Sequence, residues 1–151
     1  MIKIMRNKIE ASKVSIELNN AALKIFKNNR KCNIILLSNT KYTLAISKSG
    51  KPLYPLLDDI AQMTGTSIKS VPSYSSIKNK LNRKNALFVK DMGCLCCGSD
   101  LYEAQALAMV IEKGSMAKIA ASFIGGGEKI RAYEALLMKL IYLLKYSKRK
   151  I

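Results

Sequence analysis

Apolar residues recur at helical spacing in three long segments of this chain, and each segment predicts an amphipathic helix. The helices are expected over residues 10–28, 100–123 and 128–146. Asp100 and Glu103 have the spacing of a capping box, which would define the start of the second helix. Three glycines at residues 125–127 would end it, because glycine favours conformations that a helix does not tolerate. The residues of this helix that we expect to face the core are Met109, Met116, Ile119 and Ala120.

Short apolar runs between the helices predict buried strands. Residues 32–37 form one run, and residues 86–89 and 93–98 flank the turn Lys90-Asp91-Met92 in a strand–turn–strand unit. Residues 42–47 fit either a short helix or a strand. Residues 56–63 fit a short helix that Gly65 stops, and residues 71–76 fit a loop before a short basic helix over residues 76–81. Four or five strands that alternate with helices predict an α/β layered architecture.

Length and composition add the expectation of one compact domain over residues 1–151. The chain is 49% hydrophobic and 24% charged, as in ordinary globular proteins. The first residues alternate charged and apolar types without the apolar run of a signal peptide, and no apolar stretch reaches the ~20 residues of a membrane span. We therefore expect a cytoplasmic protein without a membrane partner.

The net charge of +16 admits two interpretations. A positive field of this size attracts nucleic acid, anionic membranes or phosphorylated metabolites. However, the lysines are scattered along the whole chain, which is typical of a composition in which lysine is the usual surface residue. The chain also lacks a recognisable nucleic-acid-binding module and interleaved basic and aromatic residues. We therefore favour the second interpretation and do not expect nucleic acid to be the partner.

The four cysteines are expected to pack in the core. Cys94, Cys96 and Cys97 lie on a predicted buried strand, where free cysteine behaves as a small hydrophobe. Adjacent Cys96 and Cys97 would point to opposite faces of that strand, so they would not hold one metal ion together. No histidine accompanies them or Cys32. The pattern favours neither structural zinc nor disulfides.

Four segments of the chain resemble, in order, parts of the class II aldolase/adducin family. Ala-Ala-Leu-Lys-Ile-Phe at residues 21–26 is similar to the helix before the family's central strand. Asn-Ile-Ile-Leu-Leu-Ser-Asn-Thr at residues 33–40 resembles a strand that ends in His-x-His, and residues 86–93 resemble one that ends in Asn-His-Gly. Residues 102–112 resemble the helix that follows. The resemblance spans residues 10–147 and implies a three-layer α/β/α fold with a central, mostly antiparallel sheet.

Three further segments, residues 57–62, 108–114 and 142–147, resemble a histidine-poor, shortened bacterial branch of the same family. Family enzymes carry Gly-, Asn- and Ser-rich phosphate-binding loops in a part that precedes the first helix. In this chain no glycine occurs before Gly50. The resemblance therefore implies an N-terminally shortened form of the fold.

The resemblance also identifies where the family's metal chemistry would lie. In zinc-dependent members, three imidazoles bind a Zn²⁺ that polarises the substrate carbonyl and stabilises an enediolate, while a carboxylate acts as general acid and base. Ser38, Thr40 and Met92 occupy the three imidazole positions, and Glu17 is nearest to the catalytic carboxylate. Because hydroxyls and a thioether are poor zinc ligands, we expect no zinc at this site.

The remaining candidate site residues are acidic or polar. Asp58 and Asp59, with Gln62, could bind a hard cation such as Mg²⁺ or Mn²⁺. Alternatively, the two acids could stabilise the first turn of a short helix through its dipole. Asn39 lies between two of the lost ligand positions, and Lys90 and Asp91 precede the third. These residues could contact a ligand in the cleft or could simply be polar turn residues.

Three functions remain open. The favoured one is a class II aldolase/adducin-like pseudoenzyme without zinc-dependent activity, which binds a small anionic or sugar-phosphate-like metabolite. The second is an active lyase or other carbohydrate enzyme that uses Asp58, Asp59 or Glu17 with a divalent metal. The third is a basic nucleic-acid-binding protein. Family members commonly form tetramers with clefts between subunits, so the resemblance also implies a homo-oligomer.

Overall fold

The computed structural model describes residues 2–6, 15–77 and 84–147. Five strands and five α-helices lie within these ranges. In chain order they are β1 (Ile2–Met5), α1 (Ile16–Asn28), β2 (Ile34–Ser38), α2 (Lys41–Lys48), α3 (Asp58–Thr64), β3 (Ser70–Val71), β4 (Ala86–Val89), β5 (Gly93–Gly98), α4 (Leu101–Phe123) and α5 (Ala132–Ser147). A single 3₁₀ turn, Tyr74–Ser76, precedes the undescribed residues 78–83, where most of the predicted basic helix falls.

The strands form one sheet in the order β1-β2-β5-β4-β3. Every neighbouring pair is antiparallel except β3 and β4, which run parallel. The predicted α/β fold with a mostly antiparallel sheet is therefore confirmed. Two edge strands were not expected from the sequence. β1 is only four residues long, and β3 is a two-residue strand inside a segment expected to be a loop, so neither carries enough alternation to be recognised.

Helices cover both faces of the sheet, which gives three layers. One face presents Ile35, Leu37, Leu95 and Cys97 to the buried side of α1. The other face, including Cys94 and Cys96, packs in a second core that contains residues of α3 and α4. All four cysteines are free and buried, as predicted, and neighbouring Cys96 and Cys97 enter different cores. Successive side chains of β5 point to opposite faces of the sheet, so this strand contributes apolar side chains to both cores.

Local signals explain where the helices begin and end. The side chain of Ser15 caps α1 by accepting a hydrogen bond from the Leu18 amide, so this helix begins at Ile16 and not at residue 10. For α4, the Asp100 carboxylate accepts from the Glu103 amide at 2.8 Å, which confirms the predicted cap. The helix ends at Phe123 before two glycines with positive φ. The segment at residues 42–47, left open between helix and strand, lies within helix α2.

The predicted core face of α4 is wrong at three of its four residues. Met109 and Met116 are 72% and 45% exposed, Ala120 is exposed as well, and Ile119 is half-buried. The residues that pack inward are Ala104, Leu107, Ala108, Ile111, Gly114 and Ser115. Because α4 carries apolar residues on most of its circumference, spacing alone permits several core-facing stripes. The stripe that faces inward includes Gly114, where an added Cβ atom would overlap the side chain of Ile60, so its missing side chain permits the close approach of α3.

Among the helices that the structure describes, none combines the length and apolar character of a membrane-spanning segment.

A glycine at the start of β5 brings two parts of the chain into direct backbone contact. Gly93 has φ +117, and a Cβ atom there would overlap the carbonyl oxygen of Ser38 and lie 3.2 Å from the Cα of Asn39. Any other residue at this position would push the β4–β5 turn away from the end of β2. Close packing of these two segments therefore depends on the missing side chain.

We expect Gly93→Ala to lower the free energy of unfolding by about 3 kcal/mol, because it adds a backbone overlap to the strain of a positive φ. The matched control is Gly126→Ala, at φ +100 with open space around it, which should cost only about 1 kcal/mol. Chemical denaturation of the three proteins measures the difference. Equal losses in both variants would contradict the proposed backbone contact.

Candidate functional site

Two segments that are far apart in the sequence meet at one edge of the sheet. Ser38, the last residue of β2, pairs with Cys94 of β5, and Gly93 lies against Ser38 and Asn39. The β4–β5 turn therefore lies beside the loop from β2 to α2. We call this region the β2–β5 edge. Its residues are Ser38, Asn39, Thr40, Lys90, Asp91 and Met92, which include all three positions where the resemblance implies imidazoles.

A carboxylate from α4 organises the β2–β5 edge. Glu112 Oε2 accepts hydrogen bonds from Thr40 Oγ1 at 2.6 Å, Thr43 Oγ1 at 2.7 Å and the Thr43 amide at 2.8 Å. Its Oε1 accepts from the Tyr42 amide at 3.1 Å. The first amides of a helix have no partner within the helix. Glu112 thus caps α2 from a distant part of the chain, while Thr40, the residue at the cap position, makes no side-chain cap hydrogen bond of its own.

Ser38 belongs to the same network. Its hydroxyl is buried and lies 3.3 Å from Thr40 Oγ1. Thr40 has a single hydroxyl proton, and an ionised carboxylate can only accept. Because Thr40 donates that proton to Glu112, Ser38 must be the donor to Thr40. The order of donation runs from Ser38 through Thr40 to the carboxylate.

The hydrogen bonds change the acidity of Glu112. Burial raises the pKa of its carboxyl, but the hydroxyls of Thr40 and Thr43 and the amides of Tyr42 and Thr43 favour the ionised form. The hydrogen bonds outweigh burial, and the pKa lies below the ordinary value of glutamate. Glu112 is therefore a stable anion at neutral pH.

The β2–β5 edge does not fit a zinc ion. At two of the three positions the hydroxyls are already engaged, Thr40 with Glu112 and Ser38 with Thr40, and the third residue, Met92, is 48% exposed. Zinc in proteins is held by thiolate, imidazole and carboxylate groups. In the described part of the chain, no group of three or more His, Cys, Asp or Glu residues is arranged to hold a metal ion.

The turn at residues 90–92 presents polar groups to solvent. It is closed by a hydrogen bond from the Met92 amide to the Val89 carbonyl at 3.1 Å, and Asp91 has a left-handed backbone with φ +62. Lys90 and Asp91 are both exposed. The Lys90 side chain runs past Gly50 in the loop after α2. Lys90 therefore lies between the turn and that loop, where its ammonium group faces water.

Asp58, Asp59 and Gln62 form a separate group on α3. They line an open groove of about 450 Å³ together with Leu56, Leu57 and Lys113. Asp58 and Asp59 lie in the first turn of the helix, and Asp59 Oδ2 accepts from Lys113 Nζ at 2.8 Å. This arrangement matches the second interpretation of the pair, acids in the first turn of a helix, and one of them is already neutralised by a lysine.

Glu17 does not join either group. It lies in the exposed first turn of α1, and α1 covers the face of the sheet opposite to α4. Its negative charge acts on Tyr74 in the 3₁₀ turn. Burial raises the pKa of the Tyr74 phenol, and the negative charge on Glu17 raises it further. The structure offers no contact between Glu17 and the β2–β5 edge through which a general base could act there.

Glu112 and Lys113 were not predicted as site residues from the sequence. Both lie within residues 108–114, which were noted for their resemblance to the family, but no spacing rule joins Glu112 to residues 70 or more positions earlier. These adjacent residues of α4 contact the N-terminal turns of two different helices, α2 and α3. The sequence offered one indication of a role for Glu112, which is that an acidic residue stands in the middle of a mostly apolar helix.

Comparison with known proteins supports the fold. No family model matches the chain, and no curated protein matches it. Several solved structures, however, are similar to this chain. An L-fuculose 1-phosphate aldolase matches with TM-score 0.75 and 15% identity over 81% of this chain and 61% of its own. A second such aldolase, from Glaciozyma antarctica PI12, matches with TM-score 0.70 and 21% identity, over 83% and 51%. An aldolase II superfamily protein from Pseudomonas syringae matches with TM-score 0.61 and 16% identity, over 82% and 53%.

These identities show the fold, which is that of the class II aldolases, as the resemblance implied. The chain spans less than two thirds of the length of each of the three solved proteins.

We expect Glu112→Gln to lower the free energy of unfolding by about 2 kcal/mol at neutral pH, because charge-assisted hydrogen bonds weaken and an amide cannot accept at both terminal atoms. Since the folded pKa of Glu112 is depressed, its contribution is fully present above the ordinary glutamate pKa and is lost as the pH falls through the folded value. The difference from wild type should therefore shrink in acid. Urea denaturation across acidic and neutral pH measures it.

Glu128→Gln is the control, because it removes the same charge from an exposed position. A pH-independent difference for Glu112→Gln, or an equal effect in both variants, would contradict the assigned network.

Proposed function

We propose that this chain is a class II aldolase-like protein that works without zinc-dependent aldol cleavage and binds a small anionic metabolite at the β2–β5 edge. One observation supports the first part above all others. Ser38 and Thr40 lie at two of the positions where the family resemblance implies imidazoles. The Thr40 hydroxyl already donates to the Glu112 carboxylate, and the Ser38 hydroxyl donates to Thr40. A Lewis acid that polarises a carbonyl needs ligands with metal-binding lone pairs, and none of these residues supplies one suited to zinc.

The charge around the β2–β5 edge supports an anionic ligand. Lys41 begins α2, and Lys90 lies between the turn and the loop after α2. Neither lysine forms an ion pair within 4 Å with a carboxylate of the described residues, while Lys41 Nζ lies 5.3 Å from the centre of the Tyr42 ring. Both ammonium groups could therefore bind a phosphate or carboxylate, and the net charge of +16 would raise its local concentration. The exposed carboxylate of Asp91 opposes this attraction.

A sugar phosphate is the first ligand class to test. Two of the matched solved proteins are named as L-fuculose 1-phosphate aldolases. A molecule of this class combines a dianionic phosphate with hydroxyls. The two lysines would hold the phosphate, and Asn39 and Asp91 would offer hydrogen-bonding groups to the sugar. Binding without cleavage would leave such a protein as a sensor, carrier or competitor for the metabolite.

The two other functions are less well supported. For a carboxylate-bound Mg²⁺ or Mn²⁺, Asp58 and Asp59 would have to release Lys113 and recruit further oxygen ligands, since such ions take six or more. For nucleic-acid binding, the argument remains the net charge. We also propose that the protein is a homo-oligomer, while its cytoplasmic location stays a prediction.

Calorimetric titration with L-fuculose 1-phosphate and with inorganic phosphate tests the ligand class. We expect saturable binding of the sugar phosphate, which Lys90→Ala weakens about tenfold, a loss of about 1.4 kcal/mol. Lys24→Ala is the matched control, because Lys24 is an exposed lysine on α1, across the sheet. Equal weakening by both substitutions would indicate a diffuse charge effect, and absence of binding would contradict the proposal.

Elemental analysis and a retro-aldol assay test the metal chemistry. We expect no stoichiometric zinc in the purified protein and no cleavage of L-fuculose 1-phosphate after zinc is added. Replacing Asp58 and Asp59 together by alanine should leave titrations with Mg²⁺ and Mn²⁺ unchanged. Stoichiometric zinc with cleavage would overturn the zinc-free proposal. Divalent-metal binding that the double substitution abolishes would favour the carboxylate-dependent enzyme instead.

A further inference from the structure

Helix α5 is attached to the rest of the fold along one side. Its main partner is the short helix α3. On this side Ala135 is fully buried, Tyr142 packs against the core, and Lys139 Nζ donates to the Thr64 carbonyl at the end of α3 at 3.3 Å. The positions 135, 139 and 142 follow helical spacing and define the attached face.

The opposite face of α5 is apolar and open. Five leucines lie on it, each between 51% and 58% exposed: Leu136, Leu137, Leu140, Leu143 and Leu144. Tyr133 and Ile141 extend the surface and are 62% and 55% exposed. At 100° per residue the five leucines fall within about 120° of the helix circumference. We call this set of seven residues the leucine face.

The exposed apolar area of the leucine face is larger than that of the largest apolar patch on a typical monomeric protein. Seven large side chains that are each about half open amount to roughly 700 Å², whereas the largest apolar patch on a typical monomer is about 300–600 Å². A standard protein interface takes about 800 Å² from each partner. The leucine face alone therefore supplies most of what one side of a stable dimer needs.

The arrangement of the leucines is symmetric about Leu140. Leu136 and Leu144 lie four residues on either side of it, and Leu137 and Leu143 lie three residues on either side. Leu140 is also central in angle, so it is the midpoint of the face along and around the helix. A two-fold axis through Leu140 would place each leucine of one copy opposite a leucine of an antiparallel second copy. Such self-complementarity is what an isologous two-fold interface requires.

The charges near the leucine face fit the same pairing. Between Glu134 and Lys145 the single charged residue is Lys139, which faces α3. Two chains of charge +16 repel each other, so a contact between them is best made through an uncharged surface. In the antiparallel arrangement the dipoles of the two helices oppose each other, which favours the pair.

We infer that the leucine face of α5 is the surface through which two copies of this chain associate, as an antiparallel helix pair centred on Leu140. This inference rests on the proposed homo-oligomer and names its contact. It does not depend on the ligand or the metal chemistry. Binding to a membrane would not require the two-fold symmetry of the leucines. A helix that binds an anionic bilayer usually carries lysines beside its apolar face, whereas Lys139 points to α3.

Sedimentation velocity over a range of concentrations tests the pairing. Wild type should sediment as a species of at least two chains, and Leu140→Glu should reduce that species to half its mass or to a monomer. Leu23→Glu is the matched control, since Leu23 is 51% exposed, against 53% for Leu140, and lies on α1 across the sheet. It should leave the association unchanged. Circular dichroism confirms that each variant is folded.

A cysteine variant keeps the inference testable if the glutamate variant fails to fold. Leu140→Cys should be joined to its counterpart by a short bismaleimide, whereas Leu23→Cys should not, and the native cysteines are buried and should stay unreacted. A monomeric wild type would overturn the homo-oligomer itself, and binding of that monomer to anionic vesicles would point to a lipid surface. An oligomer that both tests at Leu140 leave unaffected would overturn only the assignment of the leucine face.

Discussion

The hydrogen bonds to Glu112 hold together the part of this fold where function is expected. A single carboxylate on α4 satisfies two unpaired amides at the start of α2 and receives the hydroxyl protons of Thr40 and Thr43. It therefore joins the end of β2, the start of α2 and the middle of α4. Because the carboxylate is ionised and well hydrogen-bonded, the three elements are connected without a metal ion. The β2–β5 edge is thus ordered by its own hydrogen bonds.

The backbone makes the second contribution to that order. Pairing of β2 with β5 and the close approach of Gly93 to Ser38 place the β4–β5 turn beside the β2–α2 loop, independently of what the side chains bind. The two segments are therefore held together by the backbone of the fold itself. The same fold can bind different ligands when the side chains at its site differ, because function depends on those side chains and not on the fold itself.

Much of the fold was predictable from the sequence, and less of the site. The strand–turn–strand unit, the cap at Asp100 and the free, buried cysteines were predicted from local patterns and are confirmed. The gathering of Ser38, Thr40 and Met92 was implied by family resemblance. Glu112 was missed, because its partners lie about 70 residues away. The core face of α4 was mispredicted, because that helix is apolar on most sides and only packing selects one of them.

The sequence by itself determined the order of the helices and main strands, the absence of histidine and the repeated leucines of α5, because these depend on residue type and short spacing. The tertiary structure decided which surfaces became interior, which carboxylate meets which amide, and which face of α5 stays open. Those outcomes depend on contacts between distant segments, whose energies local periodicity does not contain. Asp59 illustrates the difference, because its acidic first turn was visible in the chain, whereas its pairing with Lys113 required α3 to pack on α4.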